Sequence, residues 1–215
     1  MTEFVNYISH PENIISSGVG SSGNDYIESA DSVTFIDGGQ GNDNIIAGRN
    51  AETIKGGAGS DYIVGSNSYN KQVIIGDSGD VTLTATLSQW GYEDGTYTVN
   101  YTHGSVPSDG NDNIISYADS SFIFGEGGND TITVQNGTAH IWGGAGDDVI
   151  NAHVNEDAYS AYAEEIYGES GNDYIKATAG FIDGGVGNDT IIQKSYNGNN
   201  YTAIQKILKT KYGAT

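Results

Sequence analysis

Asp25, Asp43, Asp61, Asp112, Asp130, Asp148, Asp173 and Asp189 each close a glycine-rich corner of this 215-residue chain. The corners read GSSGND (20–25), GGQGND (38–43), GGAGSD (56–61), GEGGND (125–130), GGAGDD (143–148), GESGND (168–173) and GGVGND (184–189). An eighth is split: Gly76-Asp77 begins it and Gly110-Asn111-Asp112 finishes it. Gly23, Gly41 and Gly59 are 18 residues apart, as are Gly110, Gly128 and Gly146. Carboxylates recurring at a fixed step, beside backbone that glycine leaves open, are suited to binding hard cations through oxygen.

The step decides which cation. Stacked strands lie about 4.8 Å apart, so the eight aspartates form one column at that pitch. Unpaired, neighbouring carboxylates would repel by about 1 kcal/mol in bulk water and by several times that at a protein surface. An ion midway between two coils sits about 2.4 Å from each, inside the 2.3–2.6 Å range of calcium and too far for magnesium's strict 2.0–2.1 Å octahedron. Further ligands are expected from backbone carbonyls turned inward at the corners. These are Gly20, Gly38, Gly39, Gln40, Gly56, Gly57, Ala58, Gly76, Asp77, Gly125, Glu126, Gly127, Gly143, Gly144, Ala145, Gly168, Glu169, Ser170, Gly184, Gly185 and Val186. Eight corners leave seven gaps, and about seven Ca²⁺ would bring the formal charge of −20 to about −6.

No catalytic constellation competes with this. Gly18-Val-Gly20-Ser-Ser-Gly23 spells GxGxxG, but another corner follows it where a dinucleotide site needs a helix. Gly76-Asp77-Ser78-Gly79 is better explained as a split corner than as a protease nucleophile loop. His10, His103, His140 and His153 are too scattered for a triad or a zinc site. The expectation is a chain that is not an enzyme.

Composition narrows the partners. Eight Lys and Arg face 28 Asp and Glu, which argues against nucleic acid and anionic membranes. No apolar run approaches the roughly 20 residues a membrane-spanning helix needs, and the N-terminus lacks the pattern of a cleavable signal peptide. Cysteine is absent, which excludes disulfides and thiolate metal sites. High charge with only 36% hydrophobic residues suits disorder, an expectation kept for the metal-free state alone.

The elements that must position the aspartates follow from a second period. Ile27, Ile36, Ile45, Ile54 and Ile63 recur every nine residues, as do Ile114, Ile123, Ile132, Ile141 and Ile150. Ile166 and Ile175, then Ile182 and Ile191, add two more nine-residue pairs. Nine residues fit a short strand and a tight turn, not a helix and its return. Two units make one coil of 18, with one isoleucine pointing inward from each wall, so the fold class is all-β.

At these residues the chain resembles the RTX (repeats-in-toxin, haemolysin-type) calcium-binding proteins, whose nonapeptide reads GGxGxD followed by x-large aliphatic-x. The resemblance covers about residues 18 to 192. It implies a parallel β-roll, a right-handed solenoid of 18 residues per coil, with Ca²⁺ between successive loops. It also implies export by type I secretion and folding on extracellular calcium. Rolls of this kind often hang from secreted enzymes or toxins, so a detached C-terminal part of one is an alternative.

The departures matter too. The alternate corners, SADSVTFI (29–36), GRNAETI (48–54), YADSSFI (117–123) and QNGTAHI (135–141), lack the hexad, so metal is expected on one edge only. Asp31, Glu52 and Asp119 on the bare edge are read as solvated or turn-capping. The expected organisation is an N-terminal cap (1–17), the roll (18–192) interrupted by an inserted β-hairpin (78–109), and a C-terminal capping segment (193–215). A short helix is expected there, with Ile204, Ile207 and Leu208 on one face. A further insertion around NEDAYSAYAEE (155–165) lengthens one coil. Phe35, Phe122, Phe124, Trp142, Tyr167 and Phe181 flank inward isoleucines and should face outward. There they are covered by the hairpin or a terminus, or they form a recognition face for a glycan or surface protein.

Overall fold

A computed structural model describes residues 14–15, 18–67, 71–78, 80–87, 93–102, 110–152, 163–178, 181–197 and 200–206. It consists of two walls of short strands. The first wall stacks Tyr26–Glu28, Asn44–Ile46, Tyr62–Val64, Asn113–Ser116, Thr131–Val134, Val149–Ala152, Tyr174–Thr178 and Thr190–Asn197 in parallel, with Ile14–Ile15 outside Tyr26–Glu28. The second wall stacks Phe35–Gln40, Thr53–Ala58, Lys71–Ile75, Ser120–Gly127, Thr138–Ala145, Ala163–Ser170 and Phe181–Asp183, also in parallel. The chain alternates between the walls, so each coil contributes one strand to each.

Isoleucine sets the register. Ile27, Ile45, Ile63, Ile114, Ile132, Ile150, Ile175 and Ile191 align across the first wall. Ile36, Ile54, Ile74, Ile123, Ile141, Ile166 and Ile182 align across the second. All but Ile182 are buried, and together they form one apolar seam. The seam tapers at the bare edge, where Ala51, Ala139, Ala152 and Ala177 fill it. Gln72 enters there too, donating through Nε2 to the Ala51 carbonyl at 2.9 Å and to Ser66 Oγ at 2.8 Å.

The period bends without breaking. Ile74 follows Ile54 by 20 residues rather than 18, which is why a strict nine-residue ruler passes over it. The rung from Asp148 to Asp173 spans 25 residues, and the last one, Asp173 to Asp189, spans 16. Extra residues leave between strands, where backbone pairing does not hold them. The segment around 155–165 falls largely outside the described residues. Asp80–Leu87 and Glu93–Thr102 pair antiparallel, giving the hairpin where the split corner predicts it.

The C-terminal expectation needs correction. Asn200–Lys206 is a strand, antiparallel to Thr190–Asn197, so Ile204 lies in a sheet rather than on a helix. Tyr, Thr and Ile favour a pleated strand, and the last rung offers unpaired N–H and C=O groups to any segment that can add to it. Ile207 and Leu208 lie outside the described residues.

The outer face of the second wall is not one open strip. Phe122 and Phe124 are fully buried and cluster with Val73, Ile75 and Trp142, while Phe35 and Phe181 at the two ends are exposed. The rings stack from rung to rung: Phe122 on His140 at 4.8 Å, Phe124 on Trp142 at 4.6 Å, Trp142 on Tyr167 at 5.9 Å.

Truncating the seam should be felt wherever the rungs are tightest. Ile132→Ala is expected to lower stability in saturating calcium by about 2–5 kcal/mol, read from the urea midpoint. A variant with an unchanged midpoint would mean the seam is not the core.

Candidate metal column

The eight corners stack along one edge. The N–H of each aspartate donates to Oδ1 of the aspartate one coil on. The chain of bonds runs Asp25 to Asp43, Asp61, Asp112, Asp130, Asp148, Asp173 and Asp189, at 2.7–3.1 Å. All eight side chains are buried. The structure therefore brings together every aspartate singled out by the repeat, and it joins the split corner, since Asp112 takes its place between Asp61 and Asp130.

The second oxygens carry the chemistry. Oδ2 of Asp43, Asp61, Asp112, Asp130, Asp148, Asp173 and Asp189 is buried and accepts no hydrogen bond. Only Asp25, at the end of the column, binds its own corner, accepting from the Ser21 N–H at 2.5 Å. A buried carboxylate oxygen without a donor is costly unless something cationic meets it.

Glycine makes room in front of these oxygens. A Cβ on Gly143 would stand 2.5 Å from Asp148 Oδ2 and 2.9 Å from the Gly168 carbonyl oxygen. The same pair, an aspartate Oδ2 and the next coil's glycine carbonyl, faces Gly20, Gly38, Gly56, Gly76, Gly125 and Gly168. Any side chain at the first corner position would overlap both oxygens. Among the described residues no three acidic or imidazole side chains converge on one point. Each gap therefore offers one carboxylate oxygen and a backbone carbonyl, with the bonded Oδ1 close by. A mixed carboxylate and carbonyl oxygen set fits calcium and leaves nothing for soft or nitrogen-seeking metals.

Not every carbonyl expected to turn inward does the same work. Those of Gly38, Gly56, Gly76, Gly125, Gly143, Gly168 and Gly184 face the column. Those of Ala58, Ala145, Ser170 and Val186 accept N–H groups of Gly41, Gly128, Gly146 and Gly171, and the Glu169 carbonyl accepts from Val186. They hold coil to coil. Gly39 and Gln40 pair with Gly57 and Ala58, and Glu126 and Gly127 with Gly144 and Ala145. Gly20 donates to the Asp37 carbonyl, and Gly185 donates to Asp183 Oδ1. Gly57 holds φ of 108°, which only glycine takes without strain; Glu126 and Glu169 take 76° and 73° at equivalent positions.

A second ladder was not foreseen, although the recurring Asn of GND is its signature. Asn24, Asn42, Ser60, Asn111, Asn129, Asp147 and Asn172 each accept, through the side-chain oxygen, the N–H one coil further along, at 2.6–3.0 Å. On the bare edge Asp31, Glu52 and Asp119 are exposed. Asp31 Oδ1 accepts the Arg49 N–H and Asp119 Oδ1 the Asn136 amide, both at 3.0 Å, which is turn capping.

Burial dominates the electrostatics. It pushes Asp130 up to about 9, Asp61 and Asp112 to about 8, Asp148 to about 7, and Asp43 and Asp173 to about 6. The N–H bond from the preceding aspartate opposes the rise in each, and neighbouring carboxylates add to it. The rise is largest in mid-column, where the carboxyls are most deeply withdrawn from water.

These features define a class: a parallel β-solenoid with a one-sided column of cation-seeking oxygens. The family profile of the RTX calcium-binding nonapeptide repeat (4 copies) matches residues 19–45, 29–63, 37–70, 107–138, 140–157 and 160–191. The chain belongs to that family, and it is a calcium-binding β-roll. No curated protein and no solved structure matches it.

Raised carboxyl pKa values fix a sign. Folded, metal-free coils bind protons more tightly than the unfolded chain, whose aspartates titrate near 3.9. Their contribution to stability is therefore retained below about pH 4 and lost as pH rises toward about 9. In chelator, β circular dichroism is expected to be stronger at pH 5 than at pH 8.5, and calcium addition at pH 5, where the folded column is protonated, should release protons. A metal-free roll that gains structure with rising pH would contradict this.

Proposed function

We propose that the gaps between successive corners hold about seven Ca²⁺, and that the chain is a non-enzymatic module of a secreted or cell-surface protein that folds when it meets extracellular calcium. The observation that carries this is the row of buried, donorless Oδ2 atoms, which meets the next coil's glycine carbonyl in six of the seven gaps. Calcium supplies the positive charge that lets these carboxylates ionise together. Asp43, Asp61, Asp112, Asp130, Asp148 and Asp173 would hold it through Oδ2, with the glycine carbonyl of the next coil opposite; Asp25 Oδ2 faces the first gap, and Asp189 lies past the last.

Asp25 closes the column end. Seven divalent ions would reduce the formal charge from −20 to about −6. Extracellular modules bind calcium at about 10⁻⁴–10⁻³ M, so the metal-free chain would persist inside a cell and the loaded roll outside it. Binding to the folded form alone stabilises it by mass action, which makes loading and folding one event.

A recognition role for the aromatic wall, toward a glycan or a surface protein, is the weaker reading. The central rings lie face against face, so the flat surfaces on which a sugar would stack are already used. Only the end rings, Phe35 and Phe181, are open. A chain acting as the C-terminal part of a secreted enzyme or toxin is compatible with the module reading and adds no site within these residues.

Chelator should abolish β circular dichroism near neutral pH and millimolar Ca²⁺ restore it. Anomalous scattering from calcium-grown crystals should place ions along the hexad edge and none along the bare one. Asp130→Asn keeps an oxygen for the Asp112 N–H but removes a charge, so the calcium midpoint should rise about tenfold. Equal midpoints for variant and parent would remove Asp130 from the ligand set.

A further inference from the structure

The split corner differs from its neighbours in more than its continuity. Asp77 occupies the second corner position, where the coil before it has Gly57 and the coil after it Glu126. Four other corners carry glycine there: Gly39, Gly57, Gly144 and Gly185. Asp77 is only 4% exposed, and its Oδ2 accepts the Gly127 N–H at 3.3 Å, a long bond that ties it to the following coil. The column aspartates of its own corner and of the coils on either side, Asp112, Asp61 and Asp130, are each 1–2% exposed, each with an Oδ2 that meets no donor. Asp77 directly follows Gly76, beside which Asp112 Oδ2 and the Gly125 carbonyl meet. The one corner built from two distant pieces thus has a buried carboxylate beside its column.

The left-handed backbone of Glu126 fits the same picture. At φ 76° a glutamate is strained where glycine would not be, and strain of this kind persists where the surrounding structure holds it. Among the described residues no three carboxylates converge on a single point, so Asp77 contributes charge beside the gap rather than a third coordinating side chain.

We propose that the gaps on either side of the split corner, next to buried Asp77, are the tightest calcium positions of the column and fill first. The inference rests on the calcium-column reading and deepens it. Its consequence concerns the insertion. Gly76 and Asp112 lie on opposite sides of the Asp80–Thr102 hairpin, yet Asp112 Oδ2 and the Gly125 carbonyl face the same point beside Gly76. Both oxygens follow the insertion and Gly76 precedes it, so an ion there seats the returning chain against Gly76 and closes first the loop whose closure costs most entropy.

Calorimetric titration of the full chain with CaCl₂ at pH 7.5 tests this. The parent should show a tight class that precedes the remainder, and Asp77→Asn should weaken that class about tenfold or more with the total number of ions unchanged. Asp31→Asn, which removes the same charge from the bare edge, should leave the tight class as it is. Equal effects of the two substitutions, or none from Asp77→Asn, would overturn the proposal while leaving the column intact. A parent chain that binds no calcium would sink the column reading itself. Should Asp77→Asn fail to fold in calcium, Asp77→Glu decides: a retained tight class supports the role of the charge, and its loss refutes it.

Discussion

Carboxylates kept at the pitch of a β-sheet and shut away from water are the constraint from which this fold takes its character. Hydrogen bonding answers half of it, since each Oδ1 receives an N–H from the coil before. The other half, the row of Oδ2 atoms, has no donor among the described residues. Such oxygens either hold protons, as the raised pKa values of the mid-column aspartates imply, or face cations. Neutral pH in calcium-poor solution satisfies neither condition. On the proposed calcium reading, the column governs folding as well as binding.

Glycine and asparagine make that column geometrically possible. At the first corner position a side chain would occupy the space between Oδ2 and the next carbonyl; at the second, a left-handed backbone aims the chain around the turn. The asparagine ladder then ties coil to coil in the opposite sense. Aspartates accept from the coil before them, whereas asparagines are acceptors for the coil after them. Two ladders of opposed polarity on adjacent residues fix the rise between coils from both sides. They keep the gaps near one width, which a cation selected by distance requires.

Much of this was legible in the sequence, because an 18-residue step with one invariant letter per corner leaves little freedom. Wall assignment, the inward isoleucines, the one-sided column and the rejoining of the split corner all follow from it. The misses have local causes. Ile74 escaped because two residues were added before it, and a ruler of nine cannot see a rung of 20. A short helix was expected in the C-terminal segment because Ile204, Ile207 and Leu208 have helical spacing, but Asn200–Lys206 adds to an open strand edge as a strand. The division of carbonyls between column and ladder could not be read from letters at all. A carbonyl's direction depends on backbone dihedrals, and Gly38 and Gly39 look alike in a sequence. The burial of Phe122 and Phe124 agrees with the covered alternative, although alternation tells which way a ring points and not what covers it.

The asymmetry between the two edges has a mechanical consequence. On the bare edge the turns are closed by alanines, by Asp31 and Asp119 accepting from Arg49 and Asn136 of the next coil, and by the Ser116–Ser121 hydroxyl pair at 2.5 Å. None of these contacts needs an ion. On the hexad edge every rung depends on its neighbours' charge being met. Loss of cations therefore loads one edge with repulsion while the other stays satisfied, and the coils are driven apart from the charged side. Because each aspartate borders two gaps, emptying one raises the repulsion felt by the next. The isoleucine seam runs the full length of the column and is thin everywhere, so no rung has a core of its own to stand on. On the proposed reading, loading spreads from the split corner through a stack whose rungs share their ions, and a chain with so little apolar surface obtains from that sharing the cooperativity that a larger domain draws from its interior.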